Sequence, residues 1–323
     1  MVRILMLSKW HVHADGYAKF IQAQPDAQIT CVWDEDLPRG EAWAGELGAA
    51  FEPNLHKALA REDVDAVIVD TPTTVHRAII VAAAEAGKHI FTEKALATTT
   101  ADANVIADAV AKAGVKFCIS YPHLTNPLYA LCKQLIDAGE LGKIHYLRFR
   151  NAHNGALANW LPPHWYDMEA TGGGAMMDLG CHPMYVAPYL LGKPRRVASV
   201  FNRTHAPAGD DNAVSVVEFE NNAIAVLETS FISPFDANCF ELLGTEGAVI
   251  SAAGEVKIRT KGNNKEWRTP STMPEKGVEP LRMWLDGIIK DTPILFDMPM
   301  ALMLTEMLEN AYKSDGTQEI TKI

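Results

Sequence analysis

The sequence predicts two domains of different class: a doubly wound α/β domain with a parallel sheet, then an α+β domain rich in strands. Three observations carry this reading. Strand and helix signals alternate through the first 120 or so residues of the 323-residue chain. "VDAVIVD" is a continuous apolar run, as expected of a strand buried on both faces of a parallel sheet. After "YPHLTNP" the alternation stops, and from Pro194 to about Trp267 the reading is mostly strand. The division is therefore drawn at residues 1–120 and 121–323.

Each element follows from its local pattern. "VRILML" is a strand, and "ADGYAKFIQAQ" places Tyr17, Phe20 and Ile21 on one helical face. "AQITCVWD" is the second strand; the helix "RGEAWAGELG" is closed by Gly48, and Asn54 caps "NLHKALAR". The strand in "VDAVIVD" leads to the helix "TTVHRAIIVAAAEAG", which Thr73 or Thr74 would cap. The strand "KHIFTE", the helix "TTADANVIADAVAKAG" and the strand "KFCIS" complete the first half. The second half opens with the helix "LYALCKQLIDAG" and the strand "KIHYLRFRNAH", followed by the helix "MDLGCHPMYVAPYLLG". A series of strands comes next, two of them joined by a turn at Asn221–Asn222. "EPLRMWLDGIIK" and "MPMALMLTEMLENAYKSD" are the closing helices.

Composition narrows the function. A net charge of −11 argues against a nucleic-acid partner, which calls for clustered Lys and Arg. The longest apolar runs fall well short of the roughly 20 residues needed to cross a bilayer. "MVRILML" lacks the features of a signal peptide. The five cysteines are widely spaced and never in C-x-x-C, so they read as reduced thiols in a cytoplasmic protein.

Candidate functional residues gather where ligands bind in open α/β sheets, beyond the carboxyl ends of the strands. The first loop, "LSKWHVHADGYA", lies between a strand and a helix, as in a dinucleotide-binding domain, yet it lacks the usual glycines. Ser8, Trp10, His11 and Val12 are its candidate cofactor contacts, with His11 donating to a phosphate oxygen. Asp34 ends the second strand, where an acid accepts from the adenosine ribose and disfavours a 2′-phosphate, so NAD is preferred to NADP. Thr71, Pro72, Thr73 and His76 follow the buried strand; His76 reads equally as a surface helix residue. Glu93 and Lys94 follow the next strand, and a lysine there can polarise a substrate hydroxyl. In "TGGGAMMDLGCHPMY" the glycines permit close backbone approach, and Asp178 and His182, four apart, would share one helical face. A histidine of near-neutral pKa supported by a carboxylate suits proton removal as hydride leaves.

"TPTTVH", "AGKHIFTEKALA" and "GGGAMMDLGCHPMY", in this order, resemble the Gfo/Idh/MocA oxidoreductases (glucose–fructose oxidoreductase, inositol dehydrogenase and relatives). The likeness runs over nearly the whole chain. It implies a Rossmann domain, a second domain on an open, mostly antiparallel sheet, and a homodimer or homotetramer formed through that sheet. It also implies NAD(P)-dependent hydride transfer to or from a secondary alcohol or ketone of a sugar, cyclitol or polyol. The family's catalytic lysine falls on Lys94, and its acid and histidine on Asp178 and His182. Candidate substrate contacts are Tyr121, His123, Trp160, His164 and Trp165, besides Asp178 and His182. Three departures stand out: Ala95 in place of the E-K-P proline, Tyr185 where an Asp often follows the histidine by three, and the glycine-poor first loop.

Two rival readings remain at this point. One is an NAD-binding sensor or assembly protein of the same fold, for which Lys94, Asp178 and His182 would have no joint use. The other is a zinc-dependent hydrolase on a (β/α)₈ barrel, because H-x-H after a first strand resembles metal ligands. His11, His13, His123, His153, His164 and His182 would be its candidate donors. The strand-rich second half argues against a barrel, and no metal is assigned.

Overall fold

The computed structural model describes residues 1–235, 237–317 and 321–323. The chain forms two compact units: Met1–Ser120 with Val278–Thr305, and Tyr121–Gly277 with Glu306–Ile323. The first cut falls where the alternating pattern ends; a stretch near the C-terminus then returns to the first unit.

The first unit begins with β1 (Val2–Leu7), α1 (Ala14–Gln22), β2 (Ala27–Trp33), α2 (Leu37–Leu47) and β3 (Ala50–Phe51). It continues with α3 (Leu55–Leu59), β4 (Ala66–Val69), α4 (His76–Glu85), β5 (His89–Thr92), α5 (Thr100–Ala113) and β6 (Phe117–Ile119). The sheet is parallel throughout, in the order β3-β2-β1-β4-β5-β6. Strand order reverses between β1 and β4, and the crevice beyond that point is where a doubly wound sheet takes its ligand. Every residue of β4 is buried, which accounts for the unbroken apolar run. Asn54 caps α3 and Thr99 caps α5 through their side chains. Neither Thr73 nor Thr74 is the cap residue of α4: a 3₁₀ turn spans Thr73–Val75, and the helix starts from Val75 without a side-chain cap.

The second unit begins with α6 (Pro127–Asp137), β7 (Ile144–Ala152), α7 (Met168–Thr171), α8 (Ala175–Asp178) and α9 (Cys181–Leu191). Then come β8 (Pro194–Asn202), β9 (Asn212–Phe219), β10 (Ile224–Ser230), β11 (Cys239–Gly244), β12 (Ala248–Ala252) and β13 (Glu255–Arg259). α10 (Pro280–Lys290) packs on β5 and β6 of the first unit, its apolar face turned inward. α11 (Met298–Thr317) begins in the first unit and ends in the second; β14 (Thr321–Lys322) closes the chain. The sheet order of the second unit is β13-β12-β11-β7-β10-β9-β8-β14. Only β7 and β10 pair in parallel, so the sheet is open, mixed and mostly antiparallel, as expected. It is not a barrel of βα repeats, and the hydrolase reading loses its fold. No helix among the described residues is long and apolar enough to cross a membrane. All five cysteines are unbridged thiols, four of them buried.

Candidate functional site

In the first unit the glycine-poor loop is held at the carboxyl ends of β1 and β4. Ser8 takes φ +77°, the left-handed region that favours glycine. Its hydroxyl repays the strain locally: it donates to Glu35 (3.0 Å) and accepts from the N–H of Trp10 (3.0 Å). The His11 N–H bonds to the carbonyl of Asp70 (3.1 Å), tying the loop to the end of β4. α1 starts at Ala14 with His13 as its N-cap residue and no side-chain cap. Trp10 and His11 are buried, whereas Val12 and His13 face solvent in part.

Asp34 is fully buried at the end of β2. Its carboxylate accepts from the N–H groups of Lys9 (2.9 Å) and Asp36 (2.8 Å) and from the Arg39 guanidinium (2.6 and 2.9 Å). Glu35 beside it is about a third exposed and also bonds Arg39 (2.8 Å). His76 is not a surface residue: it is buried, and its ring nitrogens face the carbonyls of Thr71 (3.1 Å) and Leu96 (3.2 Å). Burial holds this imidazole below its ordinary value, against the pull of those carbonyls. His76 thereby joins the turn after β4 to the turn that carries Glu93 and Lys94.

Glu93 and Lys94 are both buried just past β5. Glu93 meets His13 Nδ1 (2.9 Å), His11 Nε2 (3.8 Å), the Tyr17 hydroxyl and the backbone N–H of Lys94 (3.1 Å). Burial opposes its ionisation, yet His11, His13 and Lys94 outweigh that and hold it well below the usual carboxylate range. Tyr17, assigned from sequence to the apolar face of α1, also bonds Ser120 (2.7 Å). Asp70 carries no signal beyond its position after a strand; it is fully buried, and neither carboxylate oxygen has a hydrogen-bond partner among the described residues.

In the second unit the chain from Gly174 to Leu191 is not one helix. The Gly180 N–H bonds back to the Ala175 carbonyl, and His182 reaches only as far as Leu179, so the ladder breaks at Leu179–Gly180. Asp178 ends α8 and His182 opens α9; the shared face predicted from their spacing is replaced by two short helices. The Tyr185 hydroxyl lies 2.7 Å from His182 Nδ1. The His123 N–H also reaches that hydroxyl oxygen (3.2 Å). His123 stacks on His182 (centroids 4.2 Å apart, planes 14° apart), and Tyr121 stacks on Tyr185 (4.1 Å, 25°). Tyr121, His123 and His182, all chosen from sequence, are thus brought together, and Tyr185 joins them. Trp165 is buried against His164. Trp160 is exposed beside His153, whose imidazole burial depresses and Asp178 partly restores.

The glycine run serves the fold. A Cβ on Gly174 would meet the Asp210 carbonyl oxygen at 2.1 Å, and one on Gly173 the Tyr312 hydroxyl at 2.3 Å. Asp210 accepts from the N–H groups of Gly174 (3.0 Å) and Met176 (2.7 Å), and Tyr312 donates to Asp210 (2.8 Å). Those contacts position the start of α8.

Comparison with known proteins agrees with this geometry. Residues 12–121 match the oxidoreductase family with an NAD-binding Rossmann fold, and residues 129–250 match the GFO/IDH/MocA C-terminal domain. A scyllo-inositol 2-dehydrogenase (NAD(+)) of Bacillus subtilis (strain 168) is 32% identical over 71% of this chain and 67% of its own length. The chain belongs to the Gfo/Idh/MocA oxidoreductase family. A levoglucosan dehydrogenase of Pseudarthrobacter phenanthrenivorans is 29% identical, over 58% of this chain and 55% of its own. The fold is also that of a solved levoglucosan dehydrogenase in complex with NADH and levoglucosan (TM-score 0.87, 19% identity, 100% of this chain and 99% of that one).

As in other Gfo/Idh/MocA proteins, the first unit is an NAD-binding Rossmann domain. Its own residues fit the dinucleotide: Ser8 makes the backbone turn otherwise given to glycine, and no side chain caps the start of α1. Asp34 and Glu35 place two carboxylates at the end of β2, both paired with the Arg39 guanidinium. The Lys94–Ala95 peptide bond is cis, with alanine where the family motif has proline.

Proposed function

We propose that this protein oxidises a secondary alcohol of a sugar, cyclitol or polyol, or reduces the matching ketone. NAD, when bound, accepts or returns the hydride. His182 moves the hydroxyl proton, Lys94 donates a hydrogen bond to the reacting oxygen, and Asp178 binds a neighbouring substrate hydroxyl. The family motifs and the polyol and sugar dehydrogenases among the relatives support this reading.

The observation that carries it furthest is the His182–Tyr185 pair. A phenol has two acceptor lone pairs and one proton. In oxidation, His182 Nδ1–H donates to the Tyr185 oxygen and leaves Nε2 as a base. In reduction, the imidazolium returns its Nε2 proton to the developing alkoxide while Nδ1–H still donates to the Tyr185 oxygen. Burial pushes Tyr185 well above its ordinary value, so it keeps its proton in either direction. The His123 N–H anchors the phenolic oxygen throughout.

The test follows nicotinamide absorbance across sugars, cyclitols, polyols and their keto forms, with NAD and NADP side by side. Turnover of at least one such substrate with NAD is expected. NAD binding without turnover of any of them would sink the proposal.

We further propose a cytoplasmic homodimer or homotetramer. Support comes from the outer face of the second sheet, where Val200, Val214 and Val216 are exposed on neighbouring strands.

A further inference from the structure

We propose that His11, His13 and Glu93 bind one divalent transition-metal ion of the zinc or ferrous-iron class. This goes beyond hydride transfer and does not depend on it. One ligand atom from each residue lies within 4.8 Å of the others, the only such set of three among the described residues. Two imidazoles and a carboxylate suit these ions better than magnesium or calcium, which prefer oxygen.

The spacing is right for a shared ion. Ligand atoms about 2.1 Å from a metal sit roughly 3 to 3.4 Å from one another. Glu93 Oε1 has His13 Nδ1 at 2.9 Å, Glu93 Oε2 has His11 Nε2 at 3.8 Å, and the ligand atoms all lie within 4.8 Å of one another, so the side chains need only draw together onto the ion. Binding through His11 Nε2 puts the ring proton on Nδ1 and gives up the 3.2 Å bond from the His13 N–H. The outer groups are already in place: the Tyr17 hydroxyl and the Lys94 N–H donate to the two Glu93 oxygens and hold the carboxylate in orientation.

Asp70, whose backbone carbonyl holds the His11 N–H (3.1 Å), is fully buried beside this loop, and neither of its carboxylate oxygens has a hydrogen-bond partner among the described residues. His13, whose side chain is 42% exposed, provides the way in. Three protein ligands leave at least one coordination position for water or a ligand oxygen.

The test uses the full-length protein, stripped with a chelator and titrated with Zn²⁺ and with Co²⁺. Calorimetry should give one ion per chain, weakened about 100-fold or more in His13→Ala. X-ray absorption of the zinc form should show nitrogen and oxygen donors only, with imidazole scattering. His13→Ala removes a half-exposed ring; should it fail to fold, the wild-type absorption spectrum decides alone. Wild type that takes up neither ion, sulfur in the shell, or a folded His13→Ala with unchanged affinity overturns the site. In that case the two imidazoles are only the counter-charge of Glu93. NAD binding, titrated separately, reports on the dehydrogenase reading whatever the metal result.

Discussion

Tyr185 is the residue whose role differs most from its sequence reading. At the position where the family often carries an acid, its hydroxyl sits within hydrogen-bond distance of His182 Nδ1. Tyr185→Phe deletes one oxygen, so kcat should fall roughly tenfold while KM changes little. The pH profile of kcat should shift with it, because the imidazole loses the acceptor for its Nδ1–H; an unchanged profile would refute the role. Lys94→Ala should leave NAD affinity largely intact and lower turnover roughly 100- to 1000-fold, the cost of losing one donor to a developing alkoxide. Near-normal turnover in that variant would remove Lys94 from the mechanism. Ser8 tests the rebuilt loop. Its left-handed backbone costs about 1 kcal/mol, but its hydroxyl makes three bonds, to Glu35, the Trp10 N–H and Arg39, worth about 1 kcal/mol each. Ser8→Gly should therefore destabilise by about 2 kcal/mol, and Ser8→Ala, which keeps the strain, by about 3 kcal/mol. Urea melts that reverse this order would show that the strain is not carried at Ser8.

Elements were legible where one periodicity ruled a segment. β4 and β5, the caps at Asn54 and Thr99, and the turn at Asn221–Asn222 all sit where local chemistry puts them. The failures have a common cause. Helical spacing across "MDLGCH" predicts one helix, yet Gly180 lies so close to Met176 that a Cβ would meet its Sδ at 2.3 Å, and the ladder breaks there. The glycine run gave no hint that Asp210 and Tyr312, far along the chain, would fill the space it leaves. His76 shows the same limit, since its burial depends on the turns after β4 and β5. It also yields a pH prediction. Its folded value lies below the unfolded 6.5, so its contribution is complete above that pH and is lost as pH falls through the folded value. The wild type should lose more stability than His76→Gln between neutral and mildly acidic pH. Equal losses would show that His76 is not held neutral.

At the scale of the whole molecule, the return of Val278–Thr305 to the first unit is invisible to a reading that moves along the chain. α10 is amphipathic, and nothing in its pattern says which sheet receives its apolar face; contacts with β5 and β6 decide it. The outer face of the second sheet poses the converse case, an apolar surface not covered within its own unit. Val200, exposed by 71%, lies opposite Val214 in the antiparallel register. A Val200→Lys variant should run as a smaller species than wild type in light scattering, with its circular dichroism unchanged. A monomeric wild type, or an unaltered assembly in the variant, would place any interface elsewhere.

By itself, the sequence determined the two domain classes and the alternation of strand and helix in the first, and it singled out Lys94, Asp178 and His182 as the candidate catalytic residues. Periodicity and turn chemistry are local, and they survive folding wherever nothing distant competes. Only the tertiary structure decided the partners. It gave His182 to Tyr185, set His76 between two turns, and gathered His11, His13, Tyr17 and Glu93 at the ends of β1 and β5. Those pairings join residues up to about 80 positions apart, and spacing along a chain carries no information about which strand ends meet.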